Sequence, residues 1–131
     1  MPSSANWDSI TYGDGKFVVA AAGLWGSTAA AYSTDGITWT ATTMPSSARW
    51  QSMAYGNGKF VALAYNSTIA AYSTDGVTWI QTDLPSSSKN WYSVTYGNGK
   101  FVAVTYSSAV TAYSTDGITW TASNLNVSAG W

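Results

Sequence analysis

Tyr32-Ser33-Thr34-Asp35-Gly36-Ile37-Thr38-Trp39 returns as Tyr72–Trp79 and as Tyr113–Trp120, with a single Ile-to-Val change at position 77. Asp followed by Gly between two β-prone stretches reads as a tight turn. The carboxylate can accept nearby backbone N–H groups, and glycine reaches positive φ at no steric cost. Upstream of each lies a second turn, within Tyr12-Gly13-Asp14-Gly15-Lys16-Phe17, Tyr55–Phe60 and Tyr96–Phe101. Further out, Trp7, Trp50, Trp91 and Trp131 are spaced by 43, 41 and 40 residues, and Tyr12, Tyr55 and Tyr96 follow the first three at a constant five. One supersecondary unit is therefore passed through three times, and stacking between units has to bury what no unit buries alone.

A third, less regular turn falls at Gly23–Gly26, Asn66-Ser67 and Ser107-Ser108, which gives each repeat four short strands. In the first copy they are expected near 8–12, 16–22, 28–33 and 37–42. The fold class is all-β, and three four-stranded units fit a β-trefoil or a β-prism monomer as well as the blades of a propeller. Side-chain size favours blades: Val18-Val19-Ala20-Ala21-Ala22 and Ala29-Ala30-Ala31 are small or apolar throughout, where a one-sided barrel strand would alternate. Blades are expected over 1–43, 44–83 and 84–124 of a single domain, 1–131, with 125–131 the start of a fourth repeat or a tail. Polar linkers are expected at Ser4–Trp7, Ser47–Trp50 and Ser87–Trp91.

Composition narrows the function. With 8% charged residues and a formal net charge of −1, no basic surface exists to follow a phosphate backbone, so nucleic acid is not an expected partner. The absence of cysteine rules out disulfides and thiolate metal sites. The start, Met1-Pro2-Ser3-Ser4, lacks the basic and apolar regions of a signal peptide, and no apolar run approaches the ~20 residues needed to span a bilayer, so a soluble protein is expected. Asn66-Ser67-Thr68 and Asn126-Val127-Ser128 match a glycosylation sequon, which without a secretory signal reads as coincidence.

Ser33–Trp39 and its two copies resemble the Asp-box, or BNR, motif of sialidase-type β-propellers, usually Ser-x-Asp-x-Gly-x-Thr-Trp; here one residue is missing between Asp and Gly. The whole unit is similar to short-blade propeller repeats of bacterial and phage surface proteins. The resemblance implies a propeller fold with the motif between the third and fourth strands of each blade. It does not carry over sialidase chemistry, which needs an arginine cluster and a Tyr/Glu pair. Arg49 is the sole arginine, all six acidic residues are Asp, and there is no Glu or His. A non-catalytic module with no cofactor is expected.

Asp35, Asp75 and Asp116 are assigned to holding their own turns rather than a metal, since one carboxylate per turn is thin ligation for a hard cation. Trp39, Trp79 and Trp120 are assigned to packing between blades. Trp7, Trp50 and Trp91 follow polar stretches and admit two readings, wedges at the blade junctions or platforms for a sugar. Trp25 lies in the three residues by which repeat 1 exceeds the others between Tyr and Asp, 23 apart against 20 and 20. In an up-and-down blade the linkers and second turns share one end, where Trp25, Tyr65 and Tyr106 join them. Lectin-like carbohydrate binding is expected there, with Trp7, Trp50 and Trp91 as platforms, Asn6, Arg49 and Asn90 as hydrogen-bonding neighbours, and Trp25 as an extra contact. Three blades cannot close on themselves, so a homodimer forming a six-bladed ring is expected, with Leu125–Trp131 competing for the slot of Met1–Trp7. The alternative is a purely structural, amplified or engineered self-assembling fragment with no natural ligand.

Overall fold

The computed structural model describes residues 6–22, 26–85, 91–106 and 109–124. They form eleven strands: β1 (Trp7–Gly13), β2 (Lys16–Ala21), β3 (Ser27–Ser33), β4 (Thr40–Gly56), β5 (Lys59–Tyr65), β6 (Ile69–Ser73), β7 (Ile80–Asp83), β8 (Trp91–Gly97), β9 (Lys100–Thr105), β10 (Val110–Ser114) and β11 (Thr121–Asn124). All ladders between them are antiparallel, and they make three four-stranded meanders. Meander 1 is β1, β2, β3 and the first part of β4; meander 2 is the rest of β4 with β5, β6 and β7; meander 3 is β8 to β11. Among the described residues no helix is long and apolar enough to cross a membrane.

The first turn of every meander has positive φ at both central residues, Asp14 and Gly15 (50° and 74°), Asn57 and Gly58 (49° and 77°), Asn98 and Gly99 (50° and 76°). That twist matches the twist of the flanking strands, so the turn fixes the register: Gly13 faces Lys16 and Tyr12 faces Phe17, with the same pairs at Gly56/Lys59 and Gly97/Lys100. Each Tyr then lies on the Phe of the next strand, ring centroids 4.6–4.8 Å apart.

Two features differ from the sequence expectation. The fourth strand of meander 1 begins at Thr40, not at 37, because the Asp35 turn holds Ile37 and Thr38 out of the ladder. The segment Ser47–Trp50, expected as a linker, is part of one continuous 17-residue strand, β4. Ala48 pairs with Ser27 of meander 1 while Arg49 pairs with Tyr65 of meander 2, so the one strand passes from the first meander to the second at adjacent residues. Pro45, which has no N–H to give, sits in the unpaired stretch between Thr43 and Ala48.

The core is the two interfaces between meanders. On β5, Phe60, Ala62 and Ala64 belong to the cluster shared with Val18, Ala20 and Ala30 of meander 1. Val61 and Leu63 belong to the cluster shared with Val94, Phe101 and Ala103 of meander 3. Alternate side chains of one strand thus serve opposite neighbours, which is why the run is apolar at every position. Small residues let the sheets approach closely, and the large ones, Trp50, Trp91, Phe60 and Phe101, fill what remains.

Candidate functional site

The end of the sheets carrying the second turns is where exposed aromatic and polar side chains meet. Cross-strand pairing of β4 with β5 sets Arg49 opposite Tyr65, and the guanidinium carbon lies 5.0 Å from the ring centroid, a cation–π contact. The Arg49 Nε is buried and has no hydrogen-bond partner among the described residues. Asn66, at φ 60°, turns the chain at the end of β5. Gly26, Ser47, Arg49, Tyr65, Asn66 and Ser67 line a pocket of ≈ 340 Å³ there.

From this pocket a row of tyrosines runs toward meander 3. Tyr65 meets Tyr92 edge-on, centroids 6.3 Å apart and rings at 77°, and Tyr92 meets Tyr106 at 5.8 Å. Tyr92 is 42% exposed and Tyr106 49%. A bulge puts Tyr92 there: Trp91 pairs with Thr105 and Ser93 with Val104, leaving Tyr92 as the extra residue of the strand. A bulge re-aims its side chain, here outward while Trp91 points in. Asp8 and Gln51 stand at the same bulge in the other two meanders, so the repeat pattern gave no signal for Tyr92.

The expected platforms fare differently. Trp50 and Trp91 are 0% exposed, so neither offers a ring face to a sugar; this corrects the platform assignment at both positions. The Trp50 indole N–H donates to the carbonyls of Ser27 (3.1 Å) and Ser46 (3.3 Å), anchoring the crossing between meanders 1 and 2. The cause of the burial is the preceding meander, which covers each of them. Trp7 is half-buried and lines a pocket of ≈ 240 Å³ with Asp8, Ser9 and Ile10. Asn6 is exposed, and its carbonyl accepts the Ala22 N–H at 2.9 Å. Asn90 and Trp25 lie outside the described residues.

Away from this end, the Asp-Gly turns are three copies of one network. Asp35 Oδ1 accepts the N–H groups of Ile37 and Thr38 (both 2.8 Å) and the Ser33 hydroxyl (2.9 Å), while the Ser33 Oγ accepts the Gly36 N–H at 2.8 Å. Asp75 with Ser73, and Asp116 with Ser114, repeat it. The two backbone N–H donors, with help from the serine, hold all three carboxyls below the usual carboxylate range.

No family model matches the sequence, and no curated protein matches it. Solved structures do. A catalytically inactive histidine-to-alanine variant of virginiamycin B lyase from Staphylococcus aureus superposes with a TM-score of 0.79 at 14% identity, over 96% of this chain and 44% of that one. YCF48 bound to a D1 peptide gives 0.72 at 18% identity, over 93% of this chain and 42% of that one. YCF48 from Cyanidioschyzon merolae gives 0.71 at 18%, over 93% and 38%. These neighbours are β-propeller proteins, and the likeness shows a propeller-like fold for this chain. The chain spans less than half the length of each.

Proposed function

We propose that this chain is a non-catalytic β-propeller module that recognises carbohydrate on the tyrosine row of its second-turn end. The observation that carries the proposal is the run Arg49–Tyr65–Tyr92–Tyr106, with its two outer tyrosines exposed and a polar pocket at its head. Large exposed rings on a rigid sheet end have no packing role to fulfil. They suit the C–H faces of a sugar, while Asn66, Ser67 and Ser47 supply donors and acceptors for its hydroxyls. The non-catalytic reading is supported by the absence of His, Glu and Cys from the chain. The lyase neighbour lost catalysis in a histidine-to-alanine variant, and this chain has no histidine to play such a part.

A glycan array followed by calorimetric titration tests this. The parent should bind at least one glycan in the micromolar to millimolar range. Tyr92→Ala with Tyr106→Ala should weaken that binding by roughly tenfold or more, with little change in melting temperature because both rings are exposed. No glycan bound at millimolar concentration, or binding indifferent to both changes, removes the proposal. A short peptide bound on the same row instead would move the module toward the YCF48 type of recognition.

A further inference from the structure

We infer that the open face of meander 3 is the docking site for the open face of meander 1 of a second copy, so that two copies close one ring through two equal junctions. The basis is a pair of complementary half-contacts that the two internal junctions complete and the outer faces leave empty.

The first pair is Tyr on Gly. A Cβ built on Gly13 would stand 2.1 Å from the ring of Tyr55, and one on Gly56 would stand 2.0 Å from the ring of Tyr96. Each glycine therefore exists to let the next meander's tyrosine lie flat against its backbone. At Gly97, the third glycine of the series, a Cβ would meet nothing within 4 Å among the described residues. The one tyrosine of the series with no glycine beneath it is Tyr12, 57% exposed.

The second pair is Val on Gly, and it runs in the opposite direction. A Cβ on Gly76 would meet Val18 Cγ2 at 3.0 Å, and one on Gly117 would meet Val61 Cγ2 at 3.1 Å. The third valine, Val102, is 38% exposed, and the third glycine, Gly36, has among the described residues only Phe17 of its own meander near it, at 3.4 Å. Tyr12 and Gly36 lie on the open face of meander 1; Gly97 and Val102 lie on the open face of meander 3. One docking of the two faces fills both pairs at once, with the chemistry of the internal junctions.

Apolar side chains around these points agree. Ile10 is 60% exposed, whereas its counterparts Met53 and Val94 are buried, and Tyr113 is 37% exposed, whereas Tyr72 packs into the second core cluster. Four strands about 4.8 Å apart and about 18 Å long give roughly 350 Å² in projection per face. Two junctions cover four faces, roughly 1,400 Å², within the about 1,200–2,000 Å² of stable interfaces, whereas one junction alone falls short. A closed pair is thus favoured over an open chain of copies. Six meanders also lie inside the four to eight that closed rings use.

Sedimentation velocity on the full chain between about 1 and 50 µM, a range that brackets typical specific association, tests this. The expected mass is twice 13.8 kDa. Gly97→Val blocks the slot for Tyr12, while its Cβ meets no described residue of its own copy within 4 Å. It should raise the dissociation constant by roughly a hundredfold or more, both junctions being hit, with an unchanged strand spectrum in circular dichroism. Val102→Glu should act in the same direction through the second pair. A parent mass of 13.8 kDa throughout, a doubled mass that survives both substitutions, or a mass that keeps growing with concentration would each overturn the inference.

Discussion

Trp7 and Trp50 occupy the same position of the repeat, yet one is half-buried and the other is sealed. Their own strands treat them alike: each is paired in the ladder with its next strand, and the register shifts at the residue that follows. The difference is the neighbour. Meander 1 stands in front of Trp50 and meander 2 in front of Trp91, while nothing described stands in front of Trp7. A residue in a stacked repeat takes its role from the adjacent unit as much as from its own, so an identical letter can be core in one copy and surface in the next.

The sharpest way to break this comparison is truncation. Trp50→Ala removes a fully buried indole and two hydrogen bonds to Ser27 and Ser46, and should lower the unfolding free energy by about 3–5 kcal/mol. Trp7→Ala should cost less than half of that when both are made in the Gly97→Val background, where the face of meander 1 stays open. Urea denaturation followed by circular dichroism reads both. Equal losses would mean that the meander's own packing, not stacking, sets the environment of these tryptophans.

Glycines sharpen the same contrast at smaller magnitude. Gly56→Ala drives a methyl into the ring of Tyr96, which is held against Phe101 and cannot simply swing away, so about 1–3 kcal/mol should be lost. Gly97→Ala meets open space and should stay within about 0.5 kcal/mol in the unassociated chain. Both glycines share one motif and one register pair with lysine, Gly56 with Lys59 and Gly97 with Lys100. Thermal melts in the Val102→Glu background, where the copies stay apart, separate them. Comparable losses at the two sites would show that the backbone itself, and not the covering tyrosine, demands glycine.

What the sequence disclosed follows the same division. The turns at Asp14-Gly15, Asn57-Gly58 and Asn98-Gly99, and the Asp35 type of network, were legible because their causes are local: a residue tolerant of positive φ, and a side chain that reaches N–H groups two and three positions on. The two-sided apolar run of β2 was legible too, since a sheet buried on both faces leaves no polar phase. The burial of Trp50 and Trp91 was legible only as one of two readings, the wedge at a blade junction, because the polar Pro45-Ser46-Ser47 before Trp50 reads as solvent-facing and only the stacked sheet decides between them. The outward aim of Tyr92 was not legible, since it depends on a one-residue bulge that alternation cannot locate. Continuity through Ser47–Trp50 was hidden for a related reason: a proline in a strand is readable only once its unpaired slot between two ladders is known.

The smallest expected effect concerns the element that should not care about stacking at all. Asp35, Asp75 and Asp116 make the same bonds whether their meander is outer or inner; Asp35 and Asp75 are exposed and Asp116 is half-buried. Their folded pKa values are lowered, chiefly by the N–H groups of Thr38, Thr78 and Thr119 and then by those of Ile37, Val77 and Ile118. A depressed folded value means that the carboxylate's contribution is fully present above the ordinary Asp pKa of about 3.9 and is lost as pH falls through the lower folded value. With no His and no Glu in the chain, stability should be flat from neutrality down to about pH 5 and should decline only below about pH 4. Asn keeps an acceptor oxygen but cannot titrate. Asp35→Asn, Asp75→Asn and Asp116→Asn should therefore each make the acid decline shallower, and by similar amounts, in melting temperatures taken from pH 7 to pH 2.5. A decline that responds to the middle-meander change alone would mean that stacking reaches even these turns, and the line drawn between local and stacked residues would have to move.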